Sequence, residues 1–205
     1  MDKTKILAIA PYEGLREVLL AEAANRSDIE MDVYLGDLAD GVSMVEALEN
    51  NGYDVILSRG GTAKQIERAT HLPVVDIVPS VYDLLRYVRL AENMPGRFAV
   101  VGFPNITRIA DKLFDLIQRK IEIVTLQEAS DADPAVGRLI REGFTLIVGD
   151  AIAVATAKKR HMNSILIASG EESVQSALLE AVRLHRVLSA AMARNLLYRD
   201  ILDKS

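Results

Sequence analysis

Chemistry in this chain can gather in a few short segments rich in glycine, serine and acids. The clearest is Ser58-Arg59-Gly60-Gly61-Thr62, where paired glycines let backbone N–H groups approach a ligand closely. Arg59 adds a rigid positive fork suited to a carboxylate or phosphate. Its bland alternative is a tight turn with Arg59 salt-bridged across to an acid such as Asp150. A second segment is Pro11-Tyr12, with Phe103-Pro104-Asn105 as its counterpart in the other half of the chain. A third runs from Ser80 to Tyr82, where Ser80 also suits a helix cap. The fourth combines Gly149-Asp150 with Ser169-Gly170-Glu171, and there capping alone accounts for the serine. Together these give the candidate ligand contacts: Pro11, Tyr12, Ser58, Arg59, Gly60, Gly61, Thr62, Ser80, Tyr82, Phe103, Asn105, Gly149, Asp150, Ser169, Gly170 and Glu171.

Catalytic groups are sparse. There is no cysteine, which excludes a disulfide framework, a thiolate zinc site and a thiol nucleophile. His71 and His161 fall in helix-to-strand turns and His185 in the final helix, away from the loops that face a ligand. No His/Asp/Glu spacing resembles a metal site, and the glycine pair is neither a nucleotide-binding lysine loop nor a dinucleotide fingerprint. The expectation is therefore a binding protein, with no catalytic residue, no metal and no cofactor. A formal net charge of -5 offers no basic face for nucleic acid. No apolar run approaches the ~18 residues of a membrane span, and the short apolar start lacks the length of a signal segment. These features predict a cytoplasmic protein.

The elements that must position these segments alternate from end to end. The pattern predicts strands over 5–10, 30–35, 55–58, 74–78, 98–102, 122–126, 146–149 and 164–168. Helices are predicted over 15–24, 43–50, 63–69, 82–92, 107–118, 134–141 and 153–159, with a final one from 172 to about 202. Such alternation means parallel sheets with right-handed crossovers. A shift of about 91 positions lays the first half on the second without a gap, so that Gly52-Tyr53-Asp54-Val55 meets Gly143-Phe144-Thr145-Leu146. The fold expected is thus α/β, two Rossmann-like parallel-sheet lobes of the periplasmic-binding-protein or chelatase-like kind, with a long C-terminal helix. Its parts are a first lobe over 1–81, a crossover helix over 82–95, a second lobe over 96–171, and a helix over 172–205 packing back on the first lobe. Caps are expected at Ser43, Ser80, Asp133 and Ser169. Ligands of open parallel sheets bind at the carboxyl ends of the strands.

Taken in order, Ser58-Arg59-Gly60-Gly61-Thr62-Ala63, Pro73-Val74-Val75-Asp76-Ile77, Tyr82-Asp83-Leu84-Leu85-Arg86, Val100-Val101-Gly102-Phe103-Pro104-Asn105 and Ile167-Ala168-Ser169-Gly170-Glu171-Glu172-Ser173 resemble a known family. It is the N-terminal sensor domain of the propionate catabolism activator, found in many sigma-54-dependent bacterial regulators. The resemblance covers about residues 4 to 190. It implies a small-molecule, anionic effector between the lobes, which is 2-methylcitrate in the propionate regulators themselves. It also implies that the final helix leads to PAS or AAA+ ATPase domains and then to a DNA-binding helix-turn-helix, the only part to touch DNA. A homodimer through that helix is compatible with the sequence, its distal stretch over 196–202 being the exit. Two rivals share the architecture. One is a racemase-like enzyme, whose paired cysteines are missing here; the other is a stand-alone carboxylate-binding protein.

Overall fold

The computed structural model describes residues 3–203, with side chains described through residue 195. The distal stretch 196–202 of the final helix therefore lies outside the residues whose side chains are described. The described residues form eight strands, β1 (Thr4–Ala10), β2 (Ile29–Leu35), β3 (Val55–Ser58), β4 (Val74–Asp76), β5 (Arg97–Gly102), β6 (Glu122–Thr125), β7 (Phe144–Gly149) and β8 (Asn163–Leu166), and the apolar runs of β1, β3, β5 and β7 are the ones covered on both faces. They make two four-stranded parallel sheets, ordered β2-β1-β3-β4 and β6-β5-β7-β8. The two orders are equivalent, as the internal repeat predicts. Gly52 and Gly143, 91 positions apart, both carry left-handed φ, 84° and 82°, in the turns before β3 and β7.

Among the described residues eight α-helices cover the sheets: α1 (Glu13–Ala24), α2 (Leu38–Leu48), α3 (Gly60–Ala69), α4 (Val81–Glu92), α5 (Pro104–Leu116), α6 (Ala132–Arg141), α7 (Ala151–Lys159) and α8 (Glu171–Asp203). Leu15 and Leu19 of α1 and residues from Val174 to Val182 of α8 pack on one face of the first sheet. Val45 of α2 and Ile66 of α3 cover its other face. In the second sheet α4 and α5 take one face, through Leu84, Val88, Ala110 and Phe114. The other face is covered by α6 and α7, through Val136, Leu139, Ala153 and Ala157.

The helices after the last strand of each sheet are thus exchanged. Helix α4 leaves β4 and packs on the second sheet, whereas α8 leaves β8 and packs on the first. The contact of α8 with the first sheet begins in its first turns, at Val174.

Ser80 caps α4 in a reciprocal box with Asp83, as its spacing predicts. Three other caps differ. Helix α2 begins at Leu38, so Ser43 lies inside it and donates to the Ala39 carbonyl, 3.1 Å. Helix α6 begins at Ala132 before Pro134, and Asp133 instead pairs with Arg160 at 2.6 Å. Ser169 stands two residues before α8, and its hydroxyl has no partner. No described helix is long and apolar enough to cross a membrane.

Candidate functional site

Four helices, α1, α3, α5 and α7, begin directly after the central strands β1, β3, β5 and β7 of the two sheets. Their N-terminal turns converge on a cavity of about 60 Å³ between the sheets. From the first sheet it is lined by Pro11 and Tyr12, Asp37 and Leu38, and Arg59 to Thr62. From the second come Asn105 and Ile106, Asp150 to Ile152, and Ala155. Free backbone N–H groups of helix first turns give such a cavity an affinity for negative charge.

Arg59 is the most consequential side chain there, because it is 5% exposed and charged. Its guanidinium donates to the Tyr12 hydroxyl and to the Ile167 carbonyl at the end of the second sheet. It also lies 5.5 Å from the centre of the Tyr12 ring. Among the described residues no carboxylate lies within 4.0 Å of it, so the salt bridge to Asp150 is not formed. A buried arginine held by neutral oxygens keeps its charge for a further partner.

The paired glycines serve different needs. Gly60 has φ 57°, left-handed, which aims its N–H at Asp76 Oδ1, 2.8 Å away. Gly61 is required by close approach: a Cβ there would meet Ile152 Cδ1 at 2.6 Å and Phe103 at 3.3 Å, both from across the cleft. Thr62 accepts from the Leu38 N–H at 3.0 Å, and this tertiary bond holds Leu38 at φ 40°.

Two buried carboxylates flank Arg59. Asp150 accepts from the Ala153 N–H at 2.9 Å and the Phe103 N–H at 3.1 Å. Burial pushes its carboxyl above the usual range, against those backbone bonds and the Arg59 charge, which pull it down. Asp76 accepts from Gly60 and from Asn105 Nδ2, the latter at 2.7 Å across the cleft. Burial raises its carboxyl likewise, opposed by Gly60, Asn105, Arg59 and Lys64. A further bridge at the rim joins Arg68 to Glu128 at 3.4 Å.

A family profile described as propionate catabolism activator matches residues 25–191, most of the chain and most of the residues just described. The chain belongs to the propionate catabolism activator family. It is accordingly a regulatory sensing domain. Its fold is similar to that of an NtrC family transcriptional regulator from Clostridium acetobutylicum, with 22% identity and a TM-score of 0.75 over 90% of this chain and 98% of that one. Weaker likenesses include the transcription regulator CcpA of Lactococcus lactis, 12% identical with a TM-score of 0.45 over 89% of this chain and 91% of that one. An ABC transporter solute binding protein from Mycobacterium smegmatis, solved with bound glycerol, is 13% identical with a TM-score of 0.45, covering 90% and 88%. No curated protein matches the chain.

Within this member of the propionate catabolism activator family, the structure brings Pro11, Tyr12, Arg59, Gly60, Gly61, Thr62, Asn105 and Asp150 around one cavity. Ser58 and Gly149 are buried at strand ends behind it, where the Ser58 hydroxyl donates to the Ile9 carbonyl at 2.8 Å. Phe103 is buried beside the cleft, under the Lys64 ammonium at 4.5 Å. Ser80, Ser169 and Gly170 sit instead where the two crossovers meet. There Asp83 accepts from the Ser173 hydroxyl at 2.6 Å and the Gly170 N–H at 3.2 Å, and Ser80 N–H donates to Ser173 at 2.9 Å. Tyr82, 69% exposed, and Glu171 lie on the outside of that junction.

Sequence reasoning passed over Asp37, Leu38, Asp76, Ile106, Ala151, Ile152 and Ala155. Asp76 carried a usable signal, an acid at the carboxyl end of the apolar run Val74-Val75-Asp76-Ile77. Among the described residues no group of three or more His, Cys, Asp or Glu side chains is placed to hold a metal.

Proposed function

We propose that this domain senses a small, anionic, carboxylate-bearing effector that binds between the two sheets. The carrying observation is Arg59, a buried guanidinium with no described carboxylate within 4.0 Å, set among the first turns of four helices. Effector oxygens displace neutral contacts or water there and gain charge-assisted hydrogen bonds. The domain binds without turning its ligand over, which accords with the absence of a thiol from the sequence and with His185 standing against Asp54, outside the cavity. In the cell it works in the cytoplasm, as the sensor of a sigma-54-dependent regulator. Output runs through α8 to PAS or AAA+ and DNA-binding domains, with α8 also offering a route to a homodimer.

Titration calorimetry with small carboxylates on wild type and Arg59→Ala tests this reading. Loss of a charge-assisted bond typically costs ~1.5–3 kcal/mol, so affinity should drop roughly ten- to a hundredfold in the variant. Equal affinities in both proteins, with unfolding midpoints matched, would remove Arg59 from the site and the reading with it.

A further inference from the structure

The charges around the cavity do not suit a polyanion. Arg59 is the cation among its lining residues, whereas Asp37 and Asp150 line it too and Asp76 stands behind Gly60. A ligand carboxylate placed on Arg59 gains a charge-assisted pair that no described carboxylate within 4.0 Å already takes. A second one would find no further cation among the lining residues, Lys64 standing outside them over Phe103, and would be repelled by the buried Asp150.

The hydrogen-bonding groups left over are equally specific. Tyr12 Oη already accepts from Arg59 and from the Ser169 N–H at 3.1 Å, so its own proton is free to donate. Arg59 spends N–H groups on Tyr12 and Ile167 and retains others, since a guanidinium carries five. These are donors for one carboxylate. Asn105 supplies the opposite. Its Nδ2 donates to the Asp76 carboxylate, which fixes the amide so that Oδ1 is the end left over. That oxygen is buried and has no partner. A buried acceptor without a donor is costly and is rarely left so. On the reading that the cleft holds a carboxylate, Asn105 Oδ1 calls for a donor on the same ligand. Leu38, Ile106 and Ile152 offer only apolar surface to the remainder.

We infer that the effector is a compact monocarboxylate carrying a hydrogen-bond donor, a hydroxyl or an ammonium, next to its carboxylate: the carboxylate meets Arg59 and Tyr12, and the donor meets Asn105 Oδ1. This rests on the carboxylate-sensing reading and narrows it.

The test is calorimetry on the full chain with matched probes of two to four carbons. The series are glycolate, L-lactate and L-2-hydroxybutyrate; glycine, L-alanine and L-2-aminobutyrate; and acetate, propionate and butyrate, with succinate and citrate beside them. The expected result is that the best 2-hydroxy or 2-amino acid binds at least tenfold tighter than the plain acid of the same length. Preference between those two series tells hydroxyl from ammonium. Asn105→Ala should collapse that ratio toward one, whatever it does to absolute affinity through the lost bond to Asp76. A plain acid binding as tightly as both its substituted partners, or citrate or succinate binding tightest, overturns the inference. If that binding still vanishes in Arg59→Ala, the carboxylate-sensing reading survives it. Absence of Arg59-dependent binding across all series sinks both.

Discussion

Asp150 holds two backbone N–H groups with a carboxylate that is 5% exposed, one at the start of α7 and one at Phe103. Removing it in Asp150→Ala strands both, at a cost of roughly 1–3 kcal/mol each at most, so urea denaturation should show a loss of at least ~1 kcal/mol. Its ionised form is nonetheless under strain from burial, as is that of Asp76, and both carboxyls titrate above their ordinary range. The sign follows from linkage. A folded-state value above the unfolded one means that the folded protein binds the extra protons. These two groups therefore add stability as pH falls from neutrality toward their unfolded values near 4, and withdraw it as pH rises through their folded values. Asp76→Asn should flatten the wild-type rise in unfolding free energy on mild acidification, and an unchanged slope would mean that Asp76 is ordinary. At this scale the sequence was readable where residue type and strand end coincide, at Arg59, Asn105 and Asp150. Leu38 was not readable, because its left-handed φ is imposed by a bond to Thr62, 24 residues away.

Elements were legible through periodicity and the internal repeat, and less so through caps. Ser43-x-x-Glu46 has the spacing of a capping box, yet α2 extends five residues ahead of it because Asp37-Leu38 turns against Thr62. Helix starts follow tertiary contacts as much as local signals. The return of α8 to the first sheet is an expectation of the sequence, whereas the packing of α4 on the second has no local signal, since an amphipathic helix fits either sheet. Glycines at the strand ends show how tightly these elements meet. A Cβ at Gly149 would strike the Val101 backbone carbonyl of the neighbouring strand, which cannot rotate away. Gly149→Ala should thus cost roughly 2–3 kcal/mol, as other overpacking in cores does. A Cβ at Gly61 meets the movable end of Ile152, so Gly61→Ala should cost under about 1 kcal/mol of stability. Its effect belongs to closure: it props α3 away from α7 and should weaken effector binding more than folding. Denaturation and calorimetry on the two variants separate these outcomes, and a Gly61→Ala protein with wild-type affinity would show that the cleft does not need that contact.

At the scale of the molecule, two sheets meet at a cleft bridged by Asn105–Asp76, Arg59–Ile167 and, at the rim, Arg68–Glu128. Behind the cleft the chain crosses twice, and Asp83 ties the crossovers together through Ser173 and Gly170. Motion about that junction would carry α8 with the first sheet, because Val174, Ala177, Leu178 and Ala181 are built into its core. Helix α8 therefore should not swing against the first sheet. It should move against the second. Lacking cysteine, the chain accepts pairs of spin labels at chosen sites. Labels at Arg194 on α8 and Lys112 on α5 span the two bodies, while Arg194 with Glu17 on α1 lies within one; all three positions are exposed. A saturating carboxylate that binds through Arg59 should shift or narrow the Arg194–Lys112 distances and leave the Arg194–Glu17 distances unchanged. The reverse pattern would place the moving joint inside α8 itself. No change in either pair would mean that the cleft binds without transmitting, and the route from effector to output would have to begin elsewhere than α8.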